Sequence, residues 1–130
     1  MVDSNSSRPF IAAEEAESYR ILAGAADAGL VLVCDHAENA FPPGYGTLGL
    51  PEDQLRRHIA YDIGVEGLTR ELAAMTGAPA VMANFSRLLI DPNRGENDRT
   101  MIRQLYDGTV IQANYPMTEK ERKKRLNDFY

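Results

Sequence analysis

The stretch GLVLVCDHAENAFPPGY, residues 29–45, decides how the rest of the chain is read. Its first half is a short continuous run of Leu and Val bounded by Gly29, the pattern of a strand covered on both faces in a parallel sheet. The run ends in Asp35-His36 and breaks at once into a loop carrying Pro42, Pro43 and Gly44. In open α/β sheets, sites form in the crevice beyond the carboxyl ends of the strands, where loops present side chains that buried strands cannot. His36 stands at that place, and the question is what chemistry surrounds it.

Working outward, residues Ala12 to about Ala26 favour helix, with Ile21, Leu22 and Ala25 near one face and Gly24 and Gly29 marking the end. The small polar residues DSNSSR (3–8) read as part of a flexible tail over residues 1–10. On the other side, LPEDQLRRHIAYD (50–62) opens with Pro followed by acids, a helix-start signal. IGVEGLTRELAAMTG (63–77) continues with Ile63, Leu68, Leu72 and Met75 at helical spacing until Gly77 stops it. APAVMANFS (78–86) and LLID (88–91) read as strands, with Asp91-Pro92-Asn93 a turn directly after. Thr118 and Glu121 have capping-box spacing, so a basic helix starts there. Its RKKR (122–125) reads as a solvated face, and its apolar residues Leu126, Phe129 and Tyr130 arrive only as the chain stops. Strand, helix, strand repeats of this kind predict an α/β sheet with covered faces.

Composition bounds the function. The chain has 130 residues, 44% hydrophobic and 25% charged, which fits a folded α/β unit rather than a disordered chain. A formal net charge of -5 argues against a nucleic-acid partner, which would need clustered Lys and Arg on a basic face. No apolar run approaches the roughly 20 residues of a membrane span, and MVDSNSSRPF (1–10) lacks the apolar core of a secretory signal, so no membrane partner is expected and, with a single cysteine, a reducing, cytoplasmic setting is. Cys34 is the only cysteine, which excludes an intrachain disulfide and a Cys-rich zinc site.

Three clusters carry chemistry. The first is His36 at the strand end. The second is His58 and Asp62, one helical turn apart on the expected helix and so on one face. Two imidazoles and a carboxylate are a set of first-row metal ligands, zinc above all. The third is SRLLIDPNRGENDR (86–99), where Arg87, Arg94 and Arg99 crowd together in an acidic chain. Arg presents a planar fork that matches a carboxylate, and Asn93 adds an amide donor. Each cluster also has a plainer reading: a satisfied loop histidine, a solvated helix face, and surface salt bridges.

Taken together and in this order, DHAENAFP (35–42), LGLPEDQLRRHIAYDIG (48–64) and SRLLIDPNR (86–94), with DGTVIQAN (107–114) as weaker support, resemble the N-formylglutamate amidohydrolase family. The resemblance runs from about Leu30 to the last residue. It implies a zinc-dependent amide hydrolase with a three-layer α/β sandwich and a mostly parallel sheet, like the zinc carboxypeptidases, and makes residues 11–130 the N-terminal part of a single hydrolase-type domain. It also implies the activity, release of formate from N-formyl-L-glutamate during histidine degradation. By the same resemblance His36, Asp62 and His58 are the metal ligands, and Arg87, Asn93 and Arg94 hold the carboxylates of a small acidic substrate. No general base is assigned. Two other readings stand beside it: a relative cleaving a polymeric glutamate or cell-wall amide, and a non-catalytic α/β module that binds an acidic ligand through its arginines.

Overall fold

A computed structural model describes residues 9–130. The expected tail therefore lies mostly outside the described residues. Of its last two positions, Phe10 already belongs to a strand.

The chain opens with β1 (Phe10–Ile11), β2 (Glu14–Glu15), β3 (Tyr19–Leu22) and β4 (Gly24–Ala25). The helix expected over residues 12–26 is thus replaced by strands. Helix propensity is a weak prior, and here tertiary pairing overrides it. β3 alternates its side chains so that Arg20 turns to the buried side, and it pairs antiparallel with β2 and with β6 (Ala80–Ala83). Gly24 is held where a Cβ would fall 2.3 Å from the backbone nitrogen of Pro79, so only glycine lets β4 approach that segment.

β5 (Leu32–Cys34) forms the strand expected from the Leu-Val run, and it pairs in parallel with β6. The four-stranded sheet has the order β2-β3-β6-β5. One pairing of three is parallel, so the sheet is mixed, where a mostly parallel one was expected. The antiparallel half comes from the strands that the sequence presented as a helix.

α1 (Glu52–Leu55) is a single turn, and α2 (Val65–Thr76) is the full helix between β5 and β6, ended by Gly77 at φ 72°. α2 covers one face of the sheet, where Cys34, Ala37 and Met82 pack with Val65. β7 (Leu105–Tyr106) and β8 (Thr109–Val110) make a hairpin closed by Asp107-Gly108, both at positive φ as a two-residue primed turn requires. α3 (Glu119–Phe129) starts where the capping box places it, with Thr118 Oγ1 accepting from the Glu121 N–H at 3.1 Å.

The main core does not sit on the sheet. It gathers Leu48, Leu50, Ile59, Leu88, Leu89 and Ile90 with Met101, Ile111 and Phe129, nearly all from irregular segments. LLID, expected as a strand, runs through its centre as turns. A short apolar run cannot be told from other buried backbone by periodicity. Its carbonyls are met by side chains instead of a ladder: Asn114 Nδ2 donates to Leu88 O at 2.8 Å, and Arg125 Nη1 donates to Leu89 O at 2.9 Å. Arg125 is therefore buried, which corrects the solvated reading of RKKR at that position.

Candidate functional site

β5 delivers His36 to the carboxyl end of the sheet, and two backbone links and one from a serine side chain fix its surroundings. The Asp62 N–H donates to His36 O at 2.9 Å, which ties the segment after α1 to the strand end. The Ser86 N–H donates to Ala40 O, and Ser86 Oγ to Ala60 O, each within 2.8 Å. Ser86, fully buried, thereby clamps the loop after His36, the Asp62 segment and the 86–94 segment into one assembly.

The clamp gathers four side chains. His36 Nε2 lies 2.7 Å from Asp91 Oδ1, and His36 Nδ1 lies 3.4 Å from Asp62 Oδ2 and 3.3 Å from Arg87 Nη1. Arg87, 9% exposed, also donates to Asp62 Oδ1 and, at 2.7 Å, to His58 O. The hydrogen bond to Asp91 raises the His36 pKa above its ordinary value, and burial opposes it less strongly. For Asp91, burial pushes the pKa up, but the hydrogen bonds from His36 and from the Asn93 N–H outweigh it and hold the carboxyl below its usual range. His36 and Asp91 thus sustain each other's charged forms.

Arg94 and Asn93 stand on the far side of Asp91. Arg94 Nε is 3.8 Å from Asp91 Oδ2, its guanidinium is largely solvent-facing, and its carbonyl accepts from Tyr130 Oη. Asn93 and Arg94 are therefore joined to His36 through the Asp91 carboxylate, while Arg87 meets the ring directly and through Asp62. Arg99 is exposed on the loop beyond them.

Only the backbone carbonyl of His58 shares these contacts; its ring does not. The helix expected over 50–62 ends after Leu55, so His58 and Asp62 do not share a helical face as the spacing suggested. The His58 ring pairs with Asp107 at 3.0 Å and meets Tyr106 edge-on, 6.2 Å between centroids. Of the three expected metal ligands the structure assembles two, His36 and Asp62. Asp91 holds Nε2 of the ring and leaves Nδ1 facing Asp62 and Arg87. Among the described residues no group of three or more His, Cys, Asp or Glu side chains gathers around a metal position. The Arg87 guanidinium lies against both donors and supplies positive charge there.

Asp91 was legible as a turn residue and as a surface salt-bridge partner for the nearby arginines, not as a partner of His36. Its signal was a carboxylate directly ending an apolar run, which burial makes costly unless it is paired. Arg20 was not singled out at all. It is 9% exposed on β3 and binds Glu38 at 2.9 Å, Glu66 at 3.1 Å and Asn84 at 2.6 Å, so Glu38 braces the His36 loop. Asn39 does the same through Leu55 O at 2.8 Å. The Cys34 thiol is buried, and burial first of all raises its pKa, as suits a core residue rather than a nucleophile.

Residues 28–130 match the family model described as N-formylglutamate amidohydrolase. A solved structure of gene product Atu2144 from Agrobacterium tumefaciens superposes on 88% of the chain with a TM-score of 0.79 and 32% sequence identity. The match takes in 45% of that protein, so the chain spans less than half the length of this structural relative. No curated protein matches.

Proposed function

The chain belongs to the N-formylglutamate amidohydrolase family, and from that premise we propose that it takes part in hydrolysing the amide of a small N-acyl amino acid, N-formyl-L-glutamate foremost. The observation that carries this reading is the meeting of His36, Asp62, Arg87 and Asp91 at the end of β5. Family membership supports a hydrolase. The four side chains support a site where charge is placed and held.

N-formylglutamate joins two carboxylates to one poorly reactive amide, and the residues divide along that line. Asn93 and Arg94, accessible beside Asp91, hold a substrate carboxylate. Arg87 is buried, and its positive charge in a partly desolvated site stabilises negative charge developing on the formyl oxygen far better than it would in water. Asp91 holds the His36 ring in one orientation. A zinc ion would be held by His36 and Asp62 with a further ligand beyond these two, and when bound it would lower the pKa of a water to about 7 and polarise the carbonyl.

Equilibrium dialysis against zinc, followed by titration with N-formyl-L-glutamate and an assay for free formate, tests this. Expected is about one zinc per chain, lost in His36→Ala and kept in His58→Ala. Arg94→Ala is expected to weaken N-formyl-L-glutamate binding about tenfold or more, with Lys123→Ala unchanged. Full zinc occupancy in His36→Ala would remove His36 as a ligand, and equal effects of the Arg94 and Lys123 changes would remove the carboxylate assignment. Binding of the acid with no zinc and no formate would favour the non-catalytic module.

A further inference from the structure

Two guanidinium groups meet one ring beside the site. Arg87 Cζ lies 5.9 Å and Arg103 Cζ 4.1 Å from the centroid of Tyr106 on β7. The two arginines differ in what they have left to give. Arg87 is buried, and its Nη atoms are spent on His36, Asp62 and His58 O. Arg103 is half-buried and, among the described residues, forms no ion pair and donates no side-chain hydrogen bond. Its Nε is buried without an acceptor, while its Nη atoms are neither buried nor bonded, so a pair of donors reaches the surface beside Tyr106. A guanidinium stacked on an aromatic face is held in one orientation with its outer donors free.

Arg94 stands at the other end of the same row of side chains. It touches Asp91, which holds His36, which meets Arg87, which shares Tyr106 with Arg103. Asp98 lies within the influence of both ends. Thr100 binds its carboxylate through Oγ1 at 2.6 Å and through its N–H at 2.8 Å, and these bonds first of all, with the charges of Arg94 and Arg103 also contributing, hold the carboxyl below its usual range. Asp98 forms an ion pair with neither arginine among the described residues, so both keep accessible donors for another anion. N-formylglutamate carries two carboxylates, and Asn93 with Arg94 accounts for one. The α-carboxylate stands on the carbon that bears the amide, and Arg94 is separated from His36 by Asp91 alone. The side-chain carboxylate stands farther along the ligand, as Arg103 stands farther along the row, beyond Arg87 and Tyr106. Resting on the amide-hydrolase reading, we propose that Arg103, stacked on Tyr106, holds the side-chain carboxylate of the substrate and selects an acidic N-acyl amino acid over its neutral amide. A donor pair placed for a charge discriminates against the analogue that lacks it.

Isothermal titration of the chain with N-formyl-L-glutamate and with N-formyl-L-glutamine tests this without requiring turnover. The acid is expected to bind about tenfold or more tighter than the amide. Arg103→Ala should weaken N-formyl-L-glutamate by about tenfold and leave N-formyl-L-glutamine nearly unchanged, whereas Arg94→Ala should weaken both. Arg103→Lys keeps the charge without the planar fork and should recover only part of the loss. Tyr106→Phe keeps the ring face and should bind as the parent does, while Tyr106→Leu should shift the two ligands in the same direction as Arg103→Ala. Arg103→Gln, which keeps most of the stem packed, takes the place of Arg103→Ala should that variant not fold. Equal losses for the two ligands in Arg103→Ala, or no loss for either, would overturn the assignment, and an Arg94→Ala effect on both ligands would then leave the amide-hydrolase reading standing. Binding of neither ligand by the parent chain would overturn that reading and this inference with it.

Discussion

Arg125 lies one turn from the end of α3 and is 2% exposed, yet it carries a full charge. Its Nε donates to Glu121 Oε1 at 3.0 Å, and its Nη1 to Leu89 O at 2.9 Å and Asn114 Oδ1 at 2.8 Å. Removing one member of such a network leaves the others buried and unsatisfied. Arg125→Ala should therefore cost about 2–3 kcal/mol of unfolding free energy, less than a fully buried pair because Glu121 is partly solvated. Urea denaturation checks this against exposed Lys123→Ala; equal midpoints would show that the buried guanidinium contributes nothing. The same network sets a pH dependence. Burial raises the Glu121 pKa, but the hydrogen bond from Arg125 and the other lowering influences, the Arg125 and Lys124 charges among them, together outweigh it, and the net shift is downward. A carboxyl depressed on folding adds stability that is present above its unfolded value and lost as pH falls through the folded one. Between about pH 5 and 3 the chain should lose stability more steeply than its Glu121→Gln variant, measured as melting temperature. None of this was visible in RKKR as a string, because a lone basic residue among three others carries no mark of which one turns inward. His36, Asp62 and Arg87 were legible because each is a titratable side chain beside an apolar run. Asp91 looked like punctuation.

Elements with local signals were readable, and those built by distant partners were not. Gly77 stops α2, Thr118 caps α3 and the Leu-Val run makes β5, all from interactions within a few residues. β3 has no such signal. Its residues Tyr19–Leu22 become a strand through a pairing with β6 that sets Tyr19 opposite Ala83 and Leu22 opposite Ala80, and local propensity does not register separations of that size. His58 and Asp62 were misplaced for the same reason, since the backbone after Leu55 is drawn into bonds with His36 and Ser86 instead of continuing α1. The tight seat of Gly24 makes the β4 placement testable. A Cβ there would overlap the backbone of Ala78 and Pro79 at 2.5 and 2.3 Å. Backbone cannot yield as a flexible side chain would, so Gly24→Ala should destabilise by about 2–3 kcal/mol. Gly95→Ala, with nothing near its Cβ position, should fall within about 0.5 kcal/mol of the parent. Calorimetric melting of the two variants separates them, and matching curves would mean that β4 does not press against that segment.

At the scale of the molecule, the site is held less by the sheet than by the irregular core beside it. Leu88, Leu89 and Ile90 are fully buried between Arg87 and Asp91, so the two residues that flank His36 are anchored by whatever fills that core. α3 closes it. Phe129 packs on Phe85 at 5.4 Å and on Tyr45 at 6.3 Å between ring centroids, and Arg125 ties the helix to Leu89. Phe129, with Leu126 partly buried beside it, thus joins a core laid down earlier in the chain. Removing residues 119–130 should strip the core of Phe129 and Leu126 and leave Asn114 without its Arg125 partner, while the pairings of β5 with β6 and of β3 with β6 persist. A chain that keeps its backbone pairing and loses specific packing behaves as a molten globule. The truncated protein should retain far-ultraviolet dichroism, lose the near-ultraviolet tyrosine signal, bind a hydrophobic dye and melt without a sharp transition. Retention of a cooperative melt would show instead that the segment from Arg87 to Asp91 holds its shape without α3, and that the site's geometry is set by the Ser86 clamp alone.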